Sequence, residues 1–214
     1  MSGPIANSPV SLVYAHPWLY QGVMRALYGR GFDERYRAIA ELIEPGSEVF
    51  EVCAGDGYLY RRYLAPRGVR YAGGDINEAF LRYARRSGVA IRRLDAMSDP
   101  IPVADYVVIQ ASLYQFIPNH VRLVESLLGA ARRSLIVAEP IVNLSTSSSP
   151  LIRWLAQRSA NPGDGHKAAR FDAASLDAAL RERFGDRIES SVSIARGRER
   201  LYRLRGAALG SHQT

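Results

Sequence analysis

The stretch 48–60, EVFEVCAGDGYLY, decides how this chain folds. A short apolar run leads into a turn with two glycines, Gly55 and Gly57, and the turn leads into an apolar pattern typical of a helix. A strand that passes through a glycine turn into a helix commonly carries a nucleotide-like ligand, because a bare backbone lets the ligand approach closely. The stretch therefore predicts a ligand site, and the rest of the sequence has to say which ligand.

Length and composition indicate one ordinary globular domain. The chain has 214 residues, of which 47% are hydrophobic and 23% charged, so it is long enough to build a full core. Its single cysteine, Cys53, excludes a disulfide framework and a cysteine-based metal cluster, and we expect no metal site. No apolar run approaches the roughly 18 residues of a membrane helix, and the N-terminus lacks the pattern of a secretory signal. We therefore expect a cytoplasmic protein.

The net charge of +7 comes almost entirely from arginine, since Lys167 is the only lysine. Arginine pairs recur along the chain, at positions 61–62, 85–86, 92–93 and 132–133. Because these pairs are spread out and fall at the ends or polar faces of predicted helices, we interpret them as solvated surface and expect no nucleic acid partner. One dense run keeps RNA binding open as an alternative: Arg196, Arg198, Arg200, Arg203 and Arg205.

Hydrophobic periodicity predicts an alternating α/β chain. The predicted strands are 48–53, 69–74, 89–93, 105–110, 134–139, 187–195 and 199–205, and the predicted helices are 21–29, 33–43, 58–64, 77–86, 119–133 and 172–184. Near-continuous apolar strands favour a parallel sheet that is covered on both faces. The last two strands are joined too tightly for a helical crossover. The prediction is therefore a doubly wound, mostly parallel seven-stranded sheet with a C-terminal antiparallel hairpin and helices on both faces.

Three ligand classes compete for the glycine turn. A phosphate loop needs GxxxxGK[ST], and the only lysine lies in GDGHKAA, with alanine where the hydroxyl must be. A dinucleotide turn needs a third glycine, but position 60 is Tyr60. The remaining ligand is S-adenosylmethionine, which has no pyrophosphate but carries an amino-acid end, a ribose and an adenine.

Three acids stand where that ligand would need them. Glu51, just upstream of the turn, can meet the ammonium group, Asp75 at the end of VRYAGGD can take both ribose hydroxyls, and Asp95 at the end of IRRLDA can meet the adenine amine. Because the carboxyl ends of parallel strands meet at one edge of a sheet, these three side chains should converge on a single cleft.

With these residues in place, the sequence resembles the class I S-adenosylmethionine-dependent methyltransferases that act on small molecules. The matching pieces are E-V-C-A-G-D-G, G-G-D-I-N, L-D-A and A-D-Y-V-V-I-Q-A-S-L, with Cys53 as a departure because glycine is common at that position. The resemblance implies S-adenosylmethionine as cofactor and S-adenosylhomocysteine as product. The cofactor contacts it implies are Tyr14, Glu51, Cys53, Ala54, Gly55, Gly57, Asp75, Ile76, Asp95, Ala96 and Gln110.

The acceptor is predicted to be a small molecule. Methyltransferases that act on exocyclic base amines carry [ND]PP[YF] after the fourth strand, whereas this chain has Gln110-Ala111-Ser112-Leu113-Tyr114. Candidate catalytic residues are Tyr114, Glu139 and His166, although methyl transfer needs a base only when the acceptor must lose a proton. Each has a plainer interpretation: a pocket wall for Tyr114, a partner of backbone amides for Glu139, and a solvent-exposed loop for His166.

We expect one methyltransferase domain over residues 1–214. Residues 1–32 would form an N-terminal helical or lid segment, and residues 140–171 an insertion that caps the substrate. Two other functions stay open: a nicotinamide-dependent oxidoreductase, and a non-catalytic protein that keeps the methyltransferase fold. The sequence does not fix the oligomeric state, for which a homodimer is one option.

Overall fold

A seven-stranded sheet organises the protein, whose computed structural model describes residues 17–142 and 170–207. The strands are β1 Glu48–Val52, β2 Arg70–Asp75, β3 Ile91–Arg93, β4 Ala104–Gln110, β5 Ala131–Pro140, β6 Ile188–Ile194 and β7 Glu199–Arg205. Their order across the sheet is β3-β2-β1-β4-β5-β7-β6. β7 runs antiparallel to both β5 and β6, whereas the other pairs are parallel. The predicted fold class is confirmed, including the terminal hairpin.

Helices cover both faces of this sheet, as predicted. They are α1 Pro17–Tyr28, α2 Gly31–Glu41, α3 Glu78–Arg86, α4 His120–Ala130 and α5 Ala173–Phe184. The helical segment after β1 is a single stretch of π geometry, Tyr60–Leu64, followed by a 3-10 turn, Ala65–Arg67. Residues of α2 and α3 belong to one hydrophobic core, and residues of α4 and α5 belong to the other. The central strands are therefore buried on both sides.

The sequence of β4 explains its place at the centre of the sheet. Tyr106, Val107, Val108 and Ile109 are each no more than 1% exposed. Alternate side chains of a strand point to opposite faces, so an unbroken apolar run fits only a strand that is covered on both sides. Full burial of each such side chain stabilises the fold by roughly 1.5–3 kcal/mol.

The predicted helix over 119–133 was too long at its C-terminal end. α4 ends at Ala130, and Ala131 already pairs with Ala104 of β4. The Arg132 guanidinium lies 2.6 Å from a carboxylate oxygen of Glu48 and 3.3 Å from one of Asp105, at the amino edge of the sheet. Alanine and arginine favour helix locally, but pairing with β4 and these charges favours the strand.

Side-chain caps fix the starts of two helices, and one of these caps lies next to the glycine turn. The Asn77 side chain accepts a hydrogen bond from the Ala79 amide at 2.9 Å and so caps α3, which begins three residues after Asp75. Asp172 forms a reciprocal capping box with Ser175 at the start of α5. Each cap of this kind contributes about 1 kcal/mol.

A buried ion pair attaches α2 to the sheet. Arg35 Nε lies 3.3 Å from a carboxylate oxygen of Glu199, at the start of β7, and the two side chains are 2% and 0% exposed. The guanidinium also lies 5.1 Å from the ring centroids of both Tyr28 and Tyr36. This contact fixes the N-terminal helices at the edge of the sheet where β5 ends, since Glu199 pairs with Pro140.

We predict that Gly73→Ala destabilises the fold by roughly 1–3 kcal/mol. A methyl group on Gly73 would lie 2.8 Å from the Ala54 Cβ and 3.0 Å from the Tyr71 hydroxyl, and neither neighbour is a flexible chain end. Gly129→Ala in α4 is the matched control, because its added methyl group meets open space, and alanine should there raise stability by up to about 1 kcal/mol. Urea unfolding compares the two, and equal stability for both variants would contradict this packing.

Candidate cofactor site

The turn after β1 is built from residues in the left-handed backbone region. Cys53, Gly55 and Gly57 have φ angles of 55°, 57° and 71°. A methyl group on Gly57 would lie 2.9 Å from a methyl carbon of Val89, whereas one on Gly55 would meet no atom within 4 Å. Gly57 therefore permits close packing, and Gly55 leaves the surface of the turn open. Cys53 adopts the left-handed conformation, which costs a non-glycine residue roughly 1–2 kcal/mol.

Asp75 connects the end of β2 to this turn. One carboxylate oxygen accepts a hydrogen bond from the Gly55 amide at 2.8 Å, and the other accepts one from the Asn77 amide at 2.8 Å. The side chain is 9% exposed, and burial raises its pKa above the ordinary value. Two backbone amides thus hold the carboxylate in one orientation beside the open glycine.

Glu51, in β1, is buried near the same carboxyl edge of the sheet. It is 0% exposed and accepts hydrogen bonds from the Tyr71 hydroxyl at 2.6 Å and from the Gln110 amide nitrogen at 2.5 Å. Burial raises the pKa of Glu51 to about 7. The Gln110 Oε1 atom is buried and has no hydrogen-bond partner among the residues that the structure describes. Two acceptors, a carboxylate and an amide oxygen, therefore stand together with capacity for a further donor.

The N-terminal helix reaches the turn through a residue that the sequence did not single out. The Gln21 side chain in α1 donates a hydrogen bond at 2.7 Å to Asp56, the residue between the two glycines. Its own Oε1 atom is buried without a partner in the described part of the chain. The only available signal was that a helix precedes β1. Tyr14, the contact that was expected from this segment, lies outside the described residues.

The residues after β2 and β3 border the same edge. Ile76 directly follows Asp75 and is 57% exposed, which is unusual for a large apolar side chain. Asp95 is half-buried two residues beyond β3, and Ala96 is buried beside it. The Leu94 amide donates to the Asp75 carbonyl at 3.0 Å, which holds this segment against the end of β2. Roles in adenine binding stay predictions.

Cys53 has the properties of a packing residue. Burial raises the pKa of its thiol far above the ordinary value, and the nearby Asp75 carboxylate acts in the same direction. A thiol that stays protonated is a poor nucleophile. This environment therefore does not favour covalent chemistry at Cys53.

Glu139, at the end of β5, forms hydrogen bonds with the backbone of the segment that follows β4. Its oxygens accept hydrogen bonds from the amides of Ser112, Leu113 and Tyr114 at 3.1, 3.0 and 3.3 Å. The side chain is 0% exposed, and burial raises its pKa to about 8 despite the three amides. Both oxygens are occupied, so the geometry favours its plainer interpretation, a residue that positions the 3-10 turn Leu113–Phe116, over the role of a base.

Tyr114 and His120 contact the two residues Arg170 and Phe171, which shortly precede α5. The Arg170 guanidinium lies 4.4 Å from the Tyr114 ring centroid, and the Tyr114 side chain is 7% exposed. His120 contacts Phe171 edge-on at 5.2 Å, and burial lowers its pKa below the ordinary value. Sequence reasoning missed His120, whose only signal was its place at the start of the helix after β4. His166, the predicted base, lies outside the described residues.

The protein has the class I fold of S-adenosylmethionine-dependent methyltransferases. The features that define it are the strand order, the glycine turn after β1 and the acids in or after β1, β2 and β3. The family described as methionine biosynthesis protein MetW matches residues 33–145, more than half of the chain. The chain belongs to this family. None of the curated proteins matches its sequence.

Solved structures agree on the fold. An O-methyltransferase family 2 protein from Planctomyces limnophilus, in complex with apigenin, is 16% identical with a TM-score of 0.60 over 89% of this chain and 61% of its own. Magnesium protoporphyrin IX methyltransferase from Synechocystis, with bound S-adenosylhomocysteine, is 16% identical with a TM-score of 0.61 over 88% and 87%. Human N-acetylserotonin methyltransferase is 13% identical with a TM-score of 0.60 over 92% and 58%. The chain therefore spans less than two thirds of the first and third of these proteins, and such identities establish the fold alone.

The described ranges, 17–142 and 170–207, contain no helix that is both long and apolar enough to cross a membrane. They also contain no group of three or more histidine, cysteine or acidic side chains that could hold a metal ion.

We predict that Glu51→Gln stabilises the ligand-free protein by about 1–3 kcal/mol at pH 8. Because the pKa of Glu51 is raised from 4.5 to about 7, folding opposes its ionisation. The resulting penalty is absent below about pH 4.5, grows as the pH rises and is complete above about pH 7. The advantage of glutamine over glutamate should therefore shrink between pH 8 and pH 5. Thermal unfolding across this range checks the sign, and an advantage that grows toward low pH would contradict it.

Glu139→Ala should destabilise the protein by roughly 3 kcal/mol or more, because three buried amides lose their acceptor at once. Glu125→Ala, on the exposed side of α4, is the control and should change stability by less than about 0.5 kcal/mol. Urea unfolding measures both. A near-neutral Glu139→Ala would mean that the three hydrogen bonds do not support this segment.

Proposed function

We propose that the protein binds S-adenosylmethionine at the glycine turn and transfers its methyl group to a small-molecule acceptor. The observation that carries the proposal is the Asp75 carboxylate, fixed by the Gly55 amide beside an open glycine surface. A rigid carboxylate at the end of β2 suits the two vicinal hydroxyls of a ribose, because it still has free lone pairs to accept from both.

The other acceptors at this edge fit the rest of that cofactor. Glu51 and the unpaired Gln110 Oε1 would receive the ammonium group of the methionyl end. The exposed Ile76 side chain would cover one face of the adenine, and Asp95 would meet the amine at its edge. When bound, the cofactor supplies a methyl group that its sulfonium has already activated.

The protein's own part in the reaction would be alignment and exclusion of water. Methyl transfer is an in-line displacement, and holding donor and acceptor in that line lowers the barrier by several kcal/mol. Tyr114 would form a wall of the acceptor pocket, on a segment that Glu139 holds in place. His120, whose pKa is lowered by burial, would be neutral at pH 7 and able to accept a proton from an acceptor that must lose one.

The solved neighbours support this class of acceptor. They include an O-methyltransferase family 2 protein in complex with apigenin, a methyltransferase of magnesium protoporphyrin IX and one of N-acetylserotonin. A dinucleotide is a poorer fit, because Tyr60 occupies the position of the third glycine and stacks on Tyr71 with ring centroids 4.6 Å apart.

A second candidate function is binding of the same cofactor without methyl transfer. It is favoured by the family description, which names methionine biosynthesis and no methyltransferase. It is also favoured by the hydrogen bonds that occupy Glu51 and Glu139, which leave neither as a free base. Transfer of a radiolabelled methyl group to small molecules in a size-fractionated extract separates the two functions. Labelled product supports the first, and tight binding without product supports the second.

We predict that Asp75→Ala weakens the affinity for S-adenosylhomocysteine by roughly 10-fold or more, the scale of a lost pair of charge-assisted hydrogen bonds. Isothermal titration calorimetry measures it, with circular dichroism as a check of folding. Glu182→Ala, an exposed acid on α5, is the control and should bind like the parent protein. No binding by well-folded parent protein at high micromolar ligand would reject the proposed function. An unchanged affinity in Asp75→Ala would remove Asp75 from the site.

A further inference from the structure

The positive charge of the protein is concentrated in one part of the chain. Between Tyr58 and Leu94 there are nine arginines and only two acids, Asp75 and Glu78, which gives this part a net charge of +7. The whole chain also has a net charge of +7, so the remaining residues balance one another. The even spacing of arginine pairs along the sequence had suggested a dispersed charge, because it hid the uneven distribution of the acids.

The fold brings most of these arginines to one edge of the sheet. β3 is the outermost strand on that side, and the Arg85 Nε atom of α3 donates to the Ile91 carbonyl of β3 at 3.2 Å. We use the term arginine edge for six exposed side chains of α3, β3 and the π segment: Arg62, Arg82, Arg85, Arg86, Arg92 and Arg93. The edge is thus formed by neighbouring elements and not by a run in the sequence.

These six guanidinium groups are not neutralised by acids within the described residues. No ion pair between 17 and 142 or between 170 and 207 includes any of them. The dense C-terminal run behaves differently, since Arg203 lies 2.8 Å from Glu189 and Arg200 lies 3.9 Å from Asp177. The arginine edge therefore differs from the terminal hairpin, where part of the arginine charge is paired with acids.

The chemistry of this edge favours a phosphate chain over a protein surface. The exposed large apolar side chains of the described residues are Ile76, Val103, Val142 and Val192, and none of them lies on α3 or β3. A protein interface is centred on apolar residues, whereas a nucleic-acid groove combines cations with aromatic rings. A half-buried tyrosine of α3 is present here, since Arg61 lies over one face of the Tyr83 ring at 5.5 Å.

We propose that the arginine edge binds the phosphate backbone of a single-stranded nucleic acid. Guanidinium groups recognise phosphate oxygens with paired hydrogen bonds, and unpaired bases stack on tyrosine rings. The surface lies beside the cofactor cleft, since α3 begins three residues after Asp75. The proposal does not depend on methyl transfer, because it rests on charge and exposure alone.

The test is fluorescence anisotropy with an oligouridine of about 16 nucleotides, measured across a range of salt concentrations. The triple variant Arg82→Gln/Arg86→Gln/Arg93→Gln removes three charges from the edge and spares Arg85, which contacts the backbone of β3. The control Arg122→Gln/Arg181→Gln/Arg183→Gln removes three exposed charges from α4 and α5. Both variants have the same net charge, so they differ in the place of the lost charges and in the exposed ion pairs that Arg181 and Arg183 form with Asp177 and Glu125.

The parent protein should bind the oligonucleotide with a steep dependence on salt. Loss of three phosphate contacts should reduce the slope of log affinity against log salt by about 2 and the affinity at low salt by about 10-fold or more. The control should stay within about 2-fold of the parent. If the triple edge variant unfolds by circular dichroism, the single variants Arg86→Gln and Arg93→Gln are compared with Arg183→Gln in its place.

Three outcomes would overturn the proposal. The first is no binding by the parent protein at low salt, and the second is an equal loss of affinity in the edge variant and the control. The third is tighter binding of an oligoglutamate peptide of the same charge, which would assign the edge to an acidic protein.

Discussion

The hydrogen bond from the Gly55 amide to the Asp75 carboxylate is the contact on which the site depends. It joins the turn after β1 to the end of β2, two places that are 20 residues apart in the sequence. The same carboxylate accepts the Asn77 amide, and Asn77 in turn caps α3. One side chain thus fixes the turn, the end of the strand and the start of the next helix. Because the same carboxylate is the proposed acceptor for the ribose hydroxyls, cofactor binding and local folding depend on one side chain.

The interior of the cleft and the surface of the protein carry opposite charge. Glu51, Asp75 and Glu139 are all at most 9% exposed, and burial raises the pKa of each. Ionised carboxylates without a counter-ion are costly in such a place. A ligand that brings an ammonium and a sulfonium group would offset part of this cost, which gives the acidic cleft a physical reason to prefer it. The six side chains of the arginine edge lie outside the cleft, where water solvates them.

Much of the fold, and the places of three acids at the strand ends, could be predicted from the sequence, because both depend on local patterns. Strand ends are readable from apolar runs, and Glu51, Asp75 and Asp95 follow from their places at those ends. The helix over 119–133 was predicted too long because Ala131 and Arg132 favour helix locally and are held in β5 by contacts with β4 and Glu48. Such contacts come from parts of the chain that are distant in sequence.

The role of Glu139 illustrates the same limit on the acceptor side. A glutamate at the end of a strand resembles a catalytic acid or base in any sequence, and only the path of residues 112–114 directs three amides onto it. Gln21 and His120 were missed because their contacts, with Asp56 and Phe171, come from parts of the chain that are distant in sequence. The charge of the arginine edge was hidden for a related reason, since it arises where α3 and β3 meet at the border of the sheet.

The central claim is that Asp75 and the glycine turn together form one rigid binding site for a nucleoside. A crystal structure of the protein with S-adenosylhomocysteine tests it most directly. The account predicts electron density for the ligand along the carboxyl ends of β1 and β2, with both ribose hydroxyls hydrogen-bonded to Asp75 and the adenine against Ile76. Ligand density elsewhere on the protein, or an Asp75 carboxylate turned away from the bound ribose, would contradict it.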